Sequence, residues 1–97
     1  MKTFYSEYVQ HCMRFYVRHP QPRFRGTADK LNWFACDRAF KGFTDIEREI
    51  LKKVYGEGDT LPDNVYKLST ERQLKQEVIW KLVSEIERRV ARCRGLI

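Results

Sequence analysis

Residues 43–69, FTDIEREILKKVYGEGDTLPDNVYKLS, and residues 74–94, LKQEVIWKLVSEIERRVARCR, decide the fold of this chain. The spacing of their apolar residues predicts a capped helix, a break marked by glycine, a short helix, a polar turn and a long amphipathic helix. A helix-turn-helix has this order of elements, with one supporting helix in front of it. The second half of the chain is therefore predicted to be a helix-turn-helix unit.

The helix that opens this unit begins with a capping-box sequence. Thr44 can accept the backbone N–H of Glu47, and the Glu47 side chain can reach back to the backbone of Thr44. Gly56 and Gly58 follow the helix and suit its C-terminal end. The residues predicted to face the core are Ile46, Ile50, Leu51 and Val54.

The next two helices are separated by a polar segment. Thr60, followed by Leu-Pro-Asp, predicts the start of a short fourth helix with Val65 and Leu68 inward. The string STERQ, residues 69–73, predicts a break, after which Leu74 returns to the core.

The last helix is predicted from about Lys75 to Arg92. Successive residues of a helix are turned by about 100°, so the sequence also predicts which side chains share a face. The predicted buried face consists of Val78, Ile79, Leu82, Ile86, Val90 and Cys93, and the opposite face of Glu77, Trp80, Lys81, Ser84 and Arg88.

Residues 1–42 predict two further helices, rich in aromatic residues. The first runs from about Thr3 to Arg18 and ends before Pro20; the second has Thr27 as its N-cap and ends at Gly42. Trp33 and Phe40 are expected to contact the first helix. The expected buried stripes are Phe4, Tyr8, Cys12 and Phe15 in the first helix, and Leu31, Phe34, Ala35 and Ala39 in the second.

These elements predict an all-α fold of about five helices in one domain, 1–97. Its N-terminal part, 1–42, is an aromatic helical pair, and its C-terminal part, 43–97, is the helix-turn-helix. At 97 residues the chain can build a single core, and 42% hydrophobic with 33% charged residues is typical of a globular protein. No apolar run approaches the roughly 18 residues of a membrane span, and the first residues lack the apolar stretch of a signal peptide. We therefore expect a cytoplasmic protein without a membrane partner.

The net charge of +6 is unevenly distributed. Residues 1–43 carry 8 basic and 3 acidic side chains, residues 44–73 carry 5 and 7, and residues 74–97 carry 6 and 3. A polyanion would be attracted to the two basic flanks. The alternative is that this charge only keeps a small protein in solution.

Catalysis and cofactor binding find no support in the sequence. The three cysteines, Cys12, Cys36 and Cys93, are widely spaced, and Cys12 and Cys93 are expected to be small buried apolar residues rather than metal ligands. No nucleophile–base ordering and no glycine-rich phosphate loop occurs. We expect no metal, no cofactor and no enzymatic activity.

Residues 43–68 resemble a known family. The string Phe43 to Leu51, then Val54-Tyr55, Gly58 and Thr60, resembles region four of the sigma-70 class of transcription initiation factors. The apolar spacing of Leu74, Ile79, Leu82, Ile86 and Val90 is similar to that of the family's recognition helix. Small regulators of phages and mobile elements carry such modules. The predicted break around 69–74 is some three residues longer than the tight turn of that family.

The resemblance implies a transcription regulator that reads double-stranded DNA with its last helix. The predicted DNA-binding residues are Lys75, Gln76, Glu77, Trp80, Lys81, Ser84 and Arg88, and the candidate phosphate contacts are Arg23, Arg25, Arg72 and Arg92. Each has a plainer alternative: a solvated charged face, complementation of the negative helix end, or, for Trp80, packing on the first helix.

A second function class stays open. A helix-turn-helix fold can serve as an adaptor or inhibitor that binds RNA polymerase or another protein. A continuous positive face at Lys75, Lys81 and Arg88 favours DNA, whereas a negative groove between residues 57 and 77 favours a protein partner. The oligomeric state is not encoded in any of these patterns.

Overall fold

Five helices make up the regular structure of residues 3–97, the part of the chain that the structure, a computed structural model, describes. No strand occurs within this range. The helices are α1 (Ser6–Arg18), α2 (Thr27–Phe40), α3 (Asp45–Gly56), α4 (Leu61–Arg72) and α5 (Gln76–Cys93). The prediction of an all-α fold with five helices is confirmed.

The predicted caps of α3 and α4 are confirmed. Glu47 N donates to Thr44 Oγ1 at 3.2 Å and Thr44 N donates to Glu47 Oε1 at 2.9 Å, which completes the capping box. Asp63 N donates to Thr60 Oγ1 at 3.3 Å at the start of α4. The predicted cap at Thr27 is wrong: Gly26 is the N-cap of α2, and no side chain accepts a cap hydrogen bond there.

All five helices contribute to one hydrophobic core. Met13, Leu51, Tyr55, Ile79 and Ile86 are its largest fully buried side chains, and they come from α1, α3 and α5. Leu74, Trp80 and Leu82 pack against this core while half-buried. The chain between α3 and α4 is fixed to α1.

Two arginines of α1 hold the connection between α3 and α4. Arg14 donates from Nη1 to Glu57 O at 2.9 Å and from Nη2 to Asp59 O at 2.7 Å. Arg18 Nη2 donates to Glu57 O at 3.1 Å. The carbonyl groups that follow the end of α3 are satisfied in this way, and the start of α4 is tied to α1.

The predicted buried stripes of α1 and α2 are partly wrong. Phe4 is 82% exposed, and Tyr8, Leu31 and Phe34 are also largely exposed. The residues buried instead are Val9, Cys12 and Met13 in α1, and Ala35, Cys36, Ala39 and Phe40 in α2. Because apolar residues surround much of both helices, their spacing does not select the face that packs.

Helix α2 lies against α1 through aromatic rings. The Tyr16 ring centroid is 5.2 Å from that of Trp33 and 5.5 Å from that of Phe40. Tyr16 also donates its hydroxyl to Asp37 Oδ1 at 2.8 Å. Tyr16 is thus one point at which the two helices meet, and a second is the hydrogen bond from Asn32 Nδ2 to the Tyr8 hydroxyl at 2.9 Å.

The core stripe of α5 is rotated from its predicted position. Ile79, Ile86 and Val90 are buried as expected, but Val83 and Glu87 are buried too. Val78 is 45% exposed and Cys93 is exposed, so their predicted burial is wrong, as is that of Ile46 in α3, which is 70% exposed. A buried Glu87 lies outside what an apolar pattern can predict.

Within residues 3–97 no helix has the length and apolar character needed to cross a bilayer.

Candidate nucleic-acid interface

A short turn joins α4 to α5, and its geometry differs from the predicted break. Residues 69–72 continue α4, so the connection consists only of residues 73–75. Gln73 has φ 53° and ψ 40°, the left-handed conformation in which helices commonly end. The predicted break at residues 69–73 is therefore wrong, because the polar side chains of that string lie on the exposed end of a helix.

Two hydrogen bonds and one apolar contact fix this turn. Leu74 N donates to Ser69 O at 3.1 Å, and Ser69 Oγ donates to Leu74 O at 2.6 Å. The Leu74 side chain packs against the core as predicted. The direction in which α5 leaves α4 is thereby set by backbone geometry and not by a flexible linker.

The first turns of α5 project a polar face into solvent. Lys75 is the N-cap residue in an extended conformation, and no side chain caps the helix. Val78 N donates to Lys75 O at 3.1 Å, and no side chain competes with an anion for the positive dipole end of the helix. The exposed side chains of this face are Lys75, Gln76, Glu77, Val78, Lys81 and Ser84.

Trp80 lies at the border of this face. It is half-buried and packs against the core, and it lines a cleft together with Ser6 and Gln10 of α1. The rotation of the α5 stripe toward Val83 explains this position, since Trp80 is one turn before Val83 on the same side. Trp80 is thus not placed alongside Lys81 as a freely exposed ring.

Arg88 and Arg89 are engaged by a carboxylate on their own helix. Arg88 Nη2 lies 2.7 Å from Glu85 Oε1, and Arg89 Nε lies 2.9 Å from the same oxygen. The hydrogen bond from Arg88, and next that from Arg89, holds the pKa of Glu85 below its usual value. Arg89 also lies over the Phe43 ring, 4.4 Å from its centroid. The positive face at Lys75 and Lys81 does not continue without interruption to Arg88.

The candidate phosphate contacts are distributed over separate surfaces. Arg72 forms an ion pair with Glu49 of α3, and this contact lowers the pKa of Glu49. Arg92 is exposed in the last turn of α5. Arg23 and Arg25 are exposed in the loop between α1 and α2. Arg25 shares a groove with residues of α1 and α2 only, which does not bring it to the first turns of α5.

Helix α4 presents an acidic face. Asp59 just before the helix, with Asp63 and Glu71 within it, surrounds the exposed Tyr66, whose side chain is 63% accessible. Lys67 forms an ion pair with Asp59 on this face, with Nζ 3.8 Å from Oδ2. These acidic residues lie within the segment 57–77, where a negative groove would favour a protein partner.

Two residues of interest, Val78 and Glu87, have an exposure that the sequence does not predict. Val78 belongs to the exposed face of α5, although an apolar residue at this position was predicted to be buried. The two exposed methyl groups of its side chain can contact a thymine methyl group. Glu87 is only 6% exposed, although a charged residue is expected to face solvent. Neither has a signal in the spacing of apolar residues.

The comparisons with known proteins yield no match. No family model, no curated protein and no solved structure matches this chain.

Proposed function

We propose that this chain is a helix-turn-helix protein that binds double-stranded DNA with the exposed face of α5. The observation that carries the proposal is the three-residue turn at 73–75, with its left-handed Gln73 and inserted Leu74. A helix-turn-helix joins its two helices by a turn of this length and places the second helix in the major groove. A turn of three residues, shorter than the break expected from the sequence, also supports the resemblance to region four of the sigma-70 class.

The side chains of the α5 face suit base and phosphate contacts. Gln76 can make a paired contact with adenine, Lys81 can donate to guanine, and Glu77 can accept from the cytosine amino group. Lys75, beside the uncapped start of α5, is placed for a phosphate. All four are exposed, so none has to leave a buried site to reach a duplex.

Charge reversal at Lys75 and Lys81 tests the proposal. Lys75→Glu with Lys81→Glu should reduce binding to random-sequence duplex DNA by at least about a hundredfold at low salt, because two attractions become repulsions. Lys81 with Lys75 is a better pair than Lys81 with Arg88, whose charge is already engaged by Glu85. Fluorescence anisotropy with labelled duplex, repeated at several salt concentrations, gives the affinity and its salt slope.

A matched control carries the same charge change elsewhere. Lys30→Glu with Lys52→Glu alters exposed lysines of α2 and α3. It should weaken binding far less, while wild type should show a slope of about −0.9 for each phosphate neutralised. Equal loss in both double variants would point to net charge alone and contradict the assignment to α5.

The acidic face of α4 supports a second candidate, a module that binds RNA polymerase or another protein. Tyr66 is a large exposed ring among Asp59, Asp63 and Glu71, and exposed aromatic residues are frequent anchors of protein interfaces. Absence of DNA binding by wild type at low salt would favour this candidate. Retained DNA binding by a Tyr66→Ala variant would place the two surfaces in separate roles.

A further inference from the structure

A cleft lies where α1, the start of α4 and the middle of α5 meet. Its volume is about 580 Å³, within the range of small-molecule sites. Leu61, Pro62, Trp80 and Val83 supply apolar walls. Polar groups from α1 and a carboxylate from α5 complete it, so that the cleft combines an apolar body with a few hydrogen-bonding groups.

The carboxylate of this cleft belongs to Glu87, which is only 6% exposed. Its Oε2 has no hydrogen-bond partner among the described residues. Buried carboxylates are normally paired or fully hydrogen-bonded because removing their charge from water is costly. Glu87 lines the cleft, so a donor from another molecule that reaches this oxygen through the cleft would gain free energy.

Among the described residues, Arg14 is the one cation that lines the cleft, and its guanidinium group is already hydrogen-bonded within the protein. Arg14 donates its two Nη groups to the carbonyl oxygens of Glu57 and Asp59, at 2.9 and 2.7 Å. None of the ion pairs described for residues 3–97 includes Glu87. The carboxylate thus faces the cleft region without a paired side-chain cation.

We propose that this cleft binds a small organic cation, an amine attached to an apolar body. The ammonium group donates to Glu87, and the apolar body lies against Trp80 and Pro62. An aromatic wall next to a carboxylate suits this class because the ring face attracts a cation that the carboxylate also neutralises. An anionic ligand would be repelled by Glu87, and an uncharged one would gain nothing from the charge of the carboxylate.

The surroundings of Glu87 also predict how binding depends on pH. Burial raises the pKa of Glu87 to about 7, while hydrogen bonds from Gln10 and Ser6 and the charge of the amino terminus lower it. Arg14 of α1, Ser84 of α5 and the unpartnered Tyr55 hydroxyl of α3 are the other polar groups nearby. A cation favours the ionised carboxylate, so its affinity should rise from about pH 6 to about pH 8.

Phenethylamine and 2-phenylethanol are suitable probes because they have the same aromatic body and differ in charge. Titration of the full chain, followed by backbone amide NMR shifts of Ser6, Gln10 and Ser84, should show saturable binding of the amine. The alcohol should bind at least about tenfold more weakly. Glu87→Gln should remove this preference, whereas Glu77→Gln, the same change on the exposed face of α5, should preserve it.

Each outcome decides the proposal. Amine binding that is lost in Glu87→Gln, kept in Glu77→Gln and strengthened by rising pH supports it. Equal affinity for amine and alcohol, or no shift at the cleft residues at saturating amine, overturns it. Should Glu87→Gln fail to fold, the pH series on wild type decides alone, since the amine remains protonated over this range and the alcohol has no charge to respond.

Discussion

Helices α3–α5 and helices α1–α2 differ in how far local chemistry determines them. In the C-terminal three helices the caps at Thr44 and Thr60 and the inserted Leu74 lie where short-range hydrogen bonding and apolar contact require them. In the N-terminal two, neither helix has a side-chain cap. Large apolar residues are exposed in both regions, Phe4 and Leu31 in the N-terminal one and Ile46 in the C-terminal one. The difference shows that the start of a helix and the face that it buries are set by separate interactions.

The N-terminal helices consequently depend on tertiary contacts with the rest of the chain. Arg14 and Arg18 bond to the carbonyls that follow α3, and Tyr16 joins α1 to α2. An isolated helix of 13 residues without a cap has little stability in water. We infer that α1 and α2 are ordered by packing on α3 and α5.

The largest expected effect distinguishes buried from exposed apolar residues in the two regions. Ile79→Ala in α5 should lower the free energy of unfolding by about 2–5 kcal/mol, because Ile79 is fully buried and its removal leaves a cavity. Leu31→Ala in α2 should cost less than about 1 kcal/mol, since half of that side chain already contacts water. Urea unfolding of both variants measures the difference.

Similar losses in the two variants would mean that α2 buries Leu31 in a contact outside this structure. An unchanged midpoint for Ile79→Ala would show that α5 is rotated differently. Leu82→Ala, at a half-buried position, should lie between the two.

The sequence predicted the helices of this chain better than their orientations. Thr44, Glu47 and Thr60 act through bonds to residues three positions away, so their role is contained in the local sequence. The burial of Val83 and Glu87 depends on which helices lie opposite α5, and apolar spacing pointed instead to Leu82 and Val78. The misplaced break at residues 69–73 has a similar cause: polar residues on an exposed helix end resemble those of a loop.

The candidate site was predictable to the same extent. Lys75, Gln76, Glu77 and Lys81 are exposed on one face of α5, as their polar types suggested. The engagement of Arg88 by Glu85 and of Arg72 by Glu49 involves particular side-chain geometry. No spacing rule distinguishes an arginine that is free to meet phosphate from one that is paired within the protein.

A second, smaller effect tests whether the N-terminal helices and α5 share one buried environment. The pKa of Glu87 is raised from 4.5 to about 7 by burial. The folded chain therefore keeps a proton that the unfolded chain releases above its own pKa, so the contribution to stability is complete below pH 4.5 and is lost as pH rises to about 7. The stability of Glu87→Gln relative to wild type should therefore rise by up to about 3 kcal/mol as pH increases over this window.

Unfolding by urea at a series of pH values gives this difference directly. Glu49 and Glu85 have pKa values that are lowered by arginine. Their effect on stability is the same in wild type and in Glu87→Gln, so it cancels in the difference between the two. A stability difference that does not vary with pH would show that Glu87 reaches solvent and that α1 does not cover it.

The smallest expected effect compares the two helix starts themselves. Thr44→Ala removes the acceptor for Glu47 N and should lower the free energy of unfolding by about 1 kcal/mol. Thr27→Ala should change it by less than about 0.5 kcal/mol, since the Thr27 side chain does not cap α2 and is exposed. Thermal unfolding of the two variants, matched in chemistry and both at exposed positions, measures the contrast. Equal losses would mean that α2 gains a side-chain cap in solution, and the difference between the two regions would then lie only in which faces they bury.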